Sequence, residues 1–155
     1  MRVGQGIAVH AFAAGRRLVL GGVDIPHSRG LAGHSDADAL THAIIDAMLG
    51  AAGLGDIGGM FPSSDARWRD ARSVDLLRLA AEHVRTAGWR VANVDATVVA
   101  EAPRLAPHVP AMREAIASAL ELDSSAVSIK ATTTDGLGFT GRGDGVAALA
   151  VVLIE

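Results

Sequence analysis

The sequence predicts an α/β (α+β) chain in which one mixed sheet is covered by helices on one face. Three observations predict it. Strand-like and helix-like apolar patterns are interspersed along the chain. The length of 155 residues suits one domain, 1–155. Half the residues are apolar and a fifth are charged, an ordinary globular balance with enough apolar surface for a core.

The elements follow in order. Arg2–His10 carries Val3, Ile7 and Val9 among Gly and polar residues and reads as a strand. Arg17–Leu20 and Val23–Ile25 flank Gly21–Gly22, a hairpin pattern. Ser35, with Asp38 three residues on, resembles a capping box and predicts a helix start. Leu40, Ile44, Ile45, Met48 and Leu49 then recur at helical spacing. Gly53–Asp70 reads as loop. Ser73 caps a second predicted helix, with Leu76, Leu77, Ala80, Ala81 and Val84 on one face and Gly88 as its stop. Trp89–Glu101 reads as a long strand. A third helix carries Met112, Ile116 and Leu120. Val127–Ala131 reads as a short strand, Thr132–Gly145 as a Gly/Thr-rich loop, and the last ten residues as a buried strand. With helices on one face only, the other face of a Val/Ala-rich sheet is a natural subunit interface.

Composition narrows the function classes. The net charge of −3 provides no positive field for non-specific nucleic-acid binding. Lys130 is the only lysine, against thirteen arginines. There is no Cys, so disulfides and thiolate metal sites are excluded. No secretory h-region and no long uncharged apolar run appear, so a soluble cytoplasmic protein without membrane contact is expected.

Four segments could carry chemistry. Asp38, His42 and Asp46 are spaced to project from one helix face, with His34, Ser35 and Asp36 just ahead of it. A helix N-terminus suits phosphate. His42 with His10 at a strand end could share a metal with a carboxylate. Taken alone, this pattern serves a metal site or a solvated helix face equally well. Gly55–Asp65 could bring backbone amides close to a ligand, and Asp56 could accept from a sugar hydroxyl. On composition alone a surface loop is the better reading. In Lys130–Asp144, Thr hydroxyls and backbone amides suit a diphosphate, and Asp135 suits a magnesium bridging phosphates. The alternative is an ordered connection between strands. Ala100–Ala106 follows a strand, where ligands often bind; alone, it reads rather as a structural turn.

These segments, taken together, resemble the 2-C-methyl-D-erythritol 2,4-cyclodiphosphate synthase family. The hallmark stretches are HSDADALTH at 34–42, GLGDIGGMFP at 53–62, NVDATVVAEAPRLAPH at 93–108 and KATTTDGLGFTGRGDG at 130–145. The resemblance implies a four-stranded mixed sheet with helices on one face, three subunits packed sheet-inward as a homotrimer, and active sites between neighbours. It implies a lyase of the non-mevalonate isoprenoid pathway. In that reaction the 2-phosphate of 4-diphosphocytidyl-2-C-methyl-D-erythritol 2-phosphate attacks the β-phosphorus. The cyclic diphosphate forms and CMP leaves.

By the same resemblance, His10 and His42 match zinc ligands, and His10 also stands beside the substrate. His34 and Thr133 match the catalytic transition-state stabilisers. His34 and Ser35 match contacts to the erythritol phosphate. Asp56, Ile57 and Gly58, with Phe61, Pro62, Ser63, Ser64 and Asp65, match the methylerythritol pocket. Ala100, Glu101, Ala102, Pro103, Arg104, Leu105 and Ala106 match the cytidine pocket. Thr132, Thr133, Thr134, Asp135, Phe139 and Arg142 match the phosphate-contacting segment. Asp135 stands at the position for Mg2+ or Mn2+, where the family usually has Glu.

One departure stands out. The family's third zinc ligand is an Asp two residues before the first His, and here that residue is Ala8. Ala has no donor atom, so a Zn2+ site loses a charge and a bond. Three outcomes are open: water or Asp46 fills the gap and activity is weakened; the chain is a variant of an active enzyme; or catalysis is lost and a trimeric cytidine-nucleotide-binding protein remains.

Overall fold

A computed structural model describes residues 1–155. The strands are β1 (Arg2–Ala13), β2 (Leu18–Leu20), β3 (Val23–Ile25), β4 (Gly30–Leu31), β5 (Val91–Val99), β6 (Val127–Thr132) and β7 (Gly145–Ile154). The helices are α1 (Ala39–Ala52), α2 (Ile57–Met60), α3 (Ser73–Thr86), α4 (Val109–Leu120) and α5 (Gly138–Gly141). The main sheet runs β4-β1-β7-β5-β6, with β5 and β6 parallel and the other neighbours antiparallel. It holds the four long strands expected, plus two-residue β4 as a fifth at the edge. The β2–β3 hairpin turns at Gly21–Gly22, both at positive φ, as the sequence pattern predicts.

The helices cover one sheet face, and 39 buried residues form one contiguous core between the layers. No helix is long and apolar enough to cross a membrane. The tightest contact joins β1 to α1. A Cβ added at Gly6 would lie 2.1 Å from the Ala43 carbonyl oxygen, and one at Gly4 would lie 1.9 Å from that of Ala47. Glycine in β1 opposite the small residues Ala43, Ala47 and Ala51 thus lets backbone meet backbone.

The other sheet face has no covering layer. Val3 is 66% exposed, Ile7 61%, Val9 52% and Val151 44%, a row of large apolar side chains facing outward. The Lys130–Asp95 ion pair lies on the same face, across the β5–β6 pairing.

Several boundaries differ from those expected. Asp38, not Ser35, caps α1: its carboxylate accepts the Thr41 N–H at 3.0 Å. Ala37 takes a left-handed backbone conformation that turns the chain into the helix at that point. Ser73 is the first residue of α3 rather than its cap. The stretch 53–70 contains α2 and a 3-10 turn at Ala66–Trp68, and the Gly/Thr-rich segment contains α5. The fifth strand is shorter than the pattern of Trp89–Glu101 suggested.

Asp38 is fully buried and ties α1 to the hairpin. Besides Thr41, it accepts the Gly21 N–H at 2.9 Å, the Gly22 N–H at 2.7 Å and the Thr41 hydroxyl at 2.6 Å. Asp38→Ala would leave these donors unpaired and should cost about 2–4 kcal/mol, read by urea unfolding. Burial pushes the Asp38 carboxyl up to about 6, against the pull of the Thr41 and Gly22 hydrogen bonds and with a push from the Asp36 charge. A raised folded-state value means that proton uptake stabilises the fold. That contribution is complete below the unfolded value of 3.8 and is lost as pH rises through about 6. The unfolding free energy of the native chain, relative to Asp38→Asn, should therefore fall by about 2 kcal/mol between pH 4 and pH 7. A difference that does not vary with pH would refute this.

Candidate functional site

Two cavities gather most of the residues singled out from the sequence, but in separate groups. The first, about 340 Å³, is lined by His10, His34, Ser35, His42, Ile57, Gly58, Phe61, Pro62, Ser63 and Ser64, together with Trp68 and Leu76. The second, about 250 Å³, is lined by Ala100, Glu101, Pro103, Arg104, Leu105, Ala106, Ala131, Thr132 and Thr133. They share no residue. Both lie at one end of the sheet, since His10 of β1 pairs with Val146 and Val99 of β5 pairs with Ala147.

His10 and His42 meet in the first cavity. His10 Nε2 lies 3.0 Å from His42 Nδ1, and the rings stand edge to face with centroids 5.1 Å apart. The outer nitrogen of each ring is engaged: His10 Nδ1 with the Ala32 carbonyl at 2.7 Å, and His42 Nε2 with the Ser73 hydroxyl at 2.8 Å and the Ser35 hydroxyl at 3.2 Å. Burial, with the His10 charge adding to it, lowers His42 to about 3, so its imidazole is neutral at neutral pH. His34 Nε2 lies 3.3 Å from the Asp65 carbonyl. Phe61 and Trp68 form an edge-to-face wall at 5.0 Å.

The carboxylates expected beside this pair do other work. Asp38 is the buried cap described above and does not reach the cavity. Asp46 accepts the Ile57 N–H at 2.8 Å and so holds the start of α2. Its carboxyl is raised from the ordinary value, chiefly by burial. Asp56 caps α2 by accepting the Gly59 N–H at 2.7 Å. Asp65 pairs with Arg67, whose hydrogen bonds hold the Asp65 carboxyl below its usual range. Ala8 lies on the same strand face as His10 and offers no donor atom. No three His, Cys, Asp or Glu side chains converge anywhere in the chain.

In the second region Glu101 clamps the 132–142 segment. Its Oε1 accepts the Thr134 N–H at 3.1 Å and the Gly136 N–H at 3.2 Å. Thr133 donates its hydroxyl to Asp135 at 3.1 Å, and Asp135 sits in a left-handed backbone conformation. Arg142 pairs with Asp144, and Phe139 is partly exposed. Ala102 and Pro103 are joined by a cis peptide. Asp56, Asp65, Ala102, Thr134, Asp135, Phe139 and Arg142 line neither cavity wall; the first four adjoin lining residues in sequence, and the last three do not.

A model of the YgbB family matches residues 1–155. The chain belongs to the YgbB family. The 2-C-methyl-D-erythritol 2,4-cyclodiphosphate synthase of Moorella thermoacetica is 62% identical to it, covering 99% of this chain and 94% of that one. The enzyme of the same name from Syntrophomonas wolfei is also 62% identical, covering 100% and 99%. A solved 2C-methyl-D-erythritol-2,4-cyclodiphosphate synthase in its CDP-bound form matches with a TM-score of 0.91 and 37% identity, over 99% of this chain and 100% of that one. The bifunctional IspDF from Campylobacter jejuni matches at 0.95 and 44% over 99% of this chain, which spans 42% of that longer protein. The family resemblance read from the four motifs is borne out.

Ser73, Trp68 and Leu76 did not emerge from the sequence as site residues; Asp36 and Ala131 fell within the candidate segments but received no role of their own. Ser73 touches His42, and Asp36 touches Ser73, only through contacts 31 and 37 positions apart in the chain. Glu101→Ala should speed hydrogen exchange at the Thr134 and Gly136 amides by roughly tenfold while hardly moving the global unfolding midpoint. Unchanged exchange at both amides would show that the clamp is not holding the segment.

Proposed function

We propose that the chain is a cyclodiphosphate synthase that converts 4-diphosphocytidyl-2-C-methyl-D-erythritol 2-phosphate to 2-C-methyl-D-erythritol 2,4-cyclodiphosphate and CMP. The observation that carries this is full-length family membership together with two cavities built from the family's motifs. The reaction needs two phosphates pressed together and charge neutralised on the departing oxygen. No protein nucleophile is required.

The first cavity takes the methylerythritol phosphate. His34 and Ser35 face the phosphate, Ile57–Gly58 and Phe61–Ser64 enclose the carbon chain, and the Phe61–Trp68 wall excludes water. The second takes cytidine, with the backbone of Ala100–Ala106 reading the base and Thr132–Thr133 at the phosphate end. Thr133 and His34 then donate to developing charge. Because the two cavities are separate in one chain, a neighbour completes each site. The uncovered apolar sheet face supports a homotrimer. A cytoplasmic location is part of this proposal.

The family's metals fit unequally. Magnesium or manganese fits Asp135, whose exposed carboxylate would share the ion with phosphate oxygens and offset their charge. Zinc with three protein ligands does not fit, because His10 and His42 offer two nitrogens and Ala8 nothing. A second reading, a cytidine-nucleotide-binding trimer with weakened or lost catalysis, is favoured by that one position.

Purified protein with magnesium and zinc should release CMP from the substrate, and Ala8→Asp should raise turnover and zinc affinity by roughly 10–100-fold or more. CDP binding by calorimetry without CMP release in either protein would sink the enzyme reading and leave the binding one. Light scattering at micromolar concentration should give the mass of three chains; a monomer would remove the shared site.

A further inference from the structure

The hydrogens around the His10–His42 contact can be counted. The Ala32 carbonyl only accepts, so His10 Nδ1, 2.7 Å away, carries a hydrogen, and in the neutral ring His10 Nε2 is a lone pair. On the far side of His42, the Asp36 carboxylate likewise only accepts. It takes the Ser73 N–H at 3.0 Å, the Ser73 hydroxyl, and the Asp38 N–H at 3.3 Å. A hydroxyl has one hydrogen, and Asp36 receives it. Ser73 Oγ therefore faces His42 Nε2 as an acceptor at 2.8 Å, which puts a hydrogen on that nitrogen. Ser35 Oγ, 3.2 Å from the same atom and already accepting the Ala37 N–H, can accept in the same direction. His42 Nδ1 is left as a lone pair 3.0 Å from the lone pair of His10 Nε2. Two such lone pairs repel unless a proton or a metal cation lies between them.

We propose that Asp36, acting through the Ser73 hydroxyl, is the positioning residue that fixes His42 with its Nδ1 lone pair turned toward His10, so that the two imidazoles converge on one divalent cation. The last clause rests on reading the pair as cation-binding. The tautomer does not, because it is a property of the metal-free chain. Outer partners of this kind set the orientation and basicity of metal-binding histidines. Their weight grows here, where Ala8 leaves the pair without a third protein ligand. The competing arrangement has Ser35 donating to His42 Nε2 and His42 Nδ1–H donating to His10. It would place Ser73 Oγ and His42 Nε2 at 2.8 Å with no hydrogen between them.

The test uses the full chain, stripped with chelator and labelled with 15N-histidine, followed by long-range proton–nitrogen correlation spectra. The native protein should show a protonated Nε2 and an unprotonated Nδ1 on His42. Ser73→Ala should erode that preference. Asp36→Asn should turn the relay around, because its amide donates to Ser73 and frees the hydroxyl hydrogen for His42. This second variant keeps the test open if Ser73→Ala does not fold. Titration with Co2+ should show affinity roughly 10–100-fold weaker in either variant. A protonated Nδ1 in the native chain, or native tautomers in both variants, would overturn the proposal. The expected tautomers with no Co2+ binding to the native chain would overturn the cation clause alone.

Discussion

The close approach of β1 to α1 is the constraint on which the rest of the molecule depends. Gly4 and Gly6 meet the backbone around Ala43, Ala47 and Ala51 at distances that a single added carbon would violate. The same strand carries His10 and the same helix carries His42. With the strand lowered onto the helix, the two imidazoles lie 3.0 Å apart. Packing and site are thus one arrangement: the glycines set how near the layers come, and the histidines occupy the end where that nearness is used.

Asp38 secures the other side of this arrangement. It caps α1 and at the same time fastens the hairpin turn, so the helix bearing His42 is anchored at the end where the site lies. The polar groups around the site divide similarly between anchoring and exposure. Asp46, Asp56 and Glu101 spend their carboxylates on backbone N–H groups of α2 and the 132–142 segment, which leaves His34, Ser35 and Thr133 on the cavity walls.

Much of this was legible in the sequence. Periodicity located α1, α3 and α4, and Gly21–Gly22 marked the hairpin. The motifs named the family and most of the lining of both cavities. Three things were not legible. The helix start moved from Ser35 to Asp38 because a left-handed Ala37 and a buried hairpin contact outweighed the local capping pattern. Equal spacing suggested that Asp38, His42 and Asp46 act together, but helical spacing says nothing about which neighbours claim each carboxylate. The link from Asp36 through Ser73 to His42 could not be read, because it exists only after α3 folds back beside α1.

The lone lysine gives the uncovered sheet face a chemical handle. Lys130 stands there beside Asp95 and is the only lysine in the sequence. An amine-acylating reagent thus has one side-chain target, on the surface where subunits would meet. Its rate of modification at that position reports, without any tag or mutation, whether the face is open to solvent or sealed.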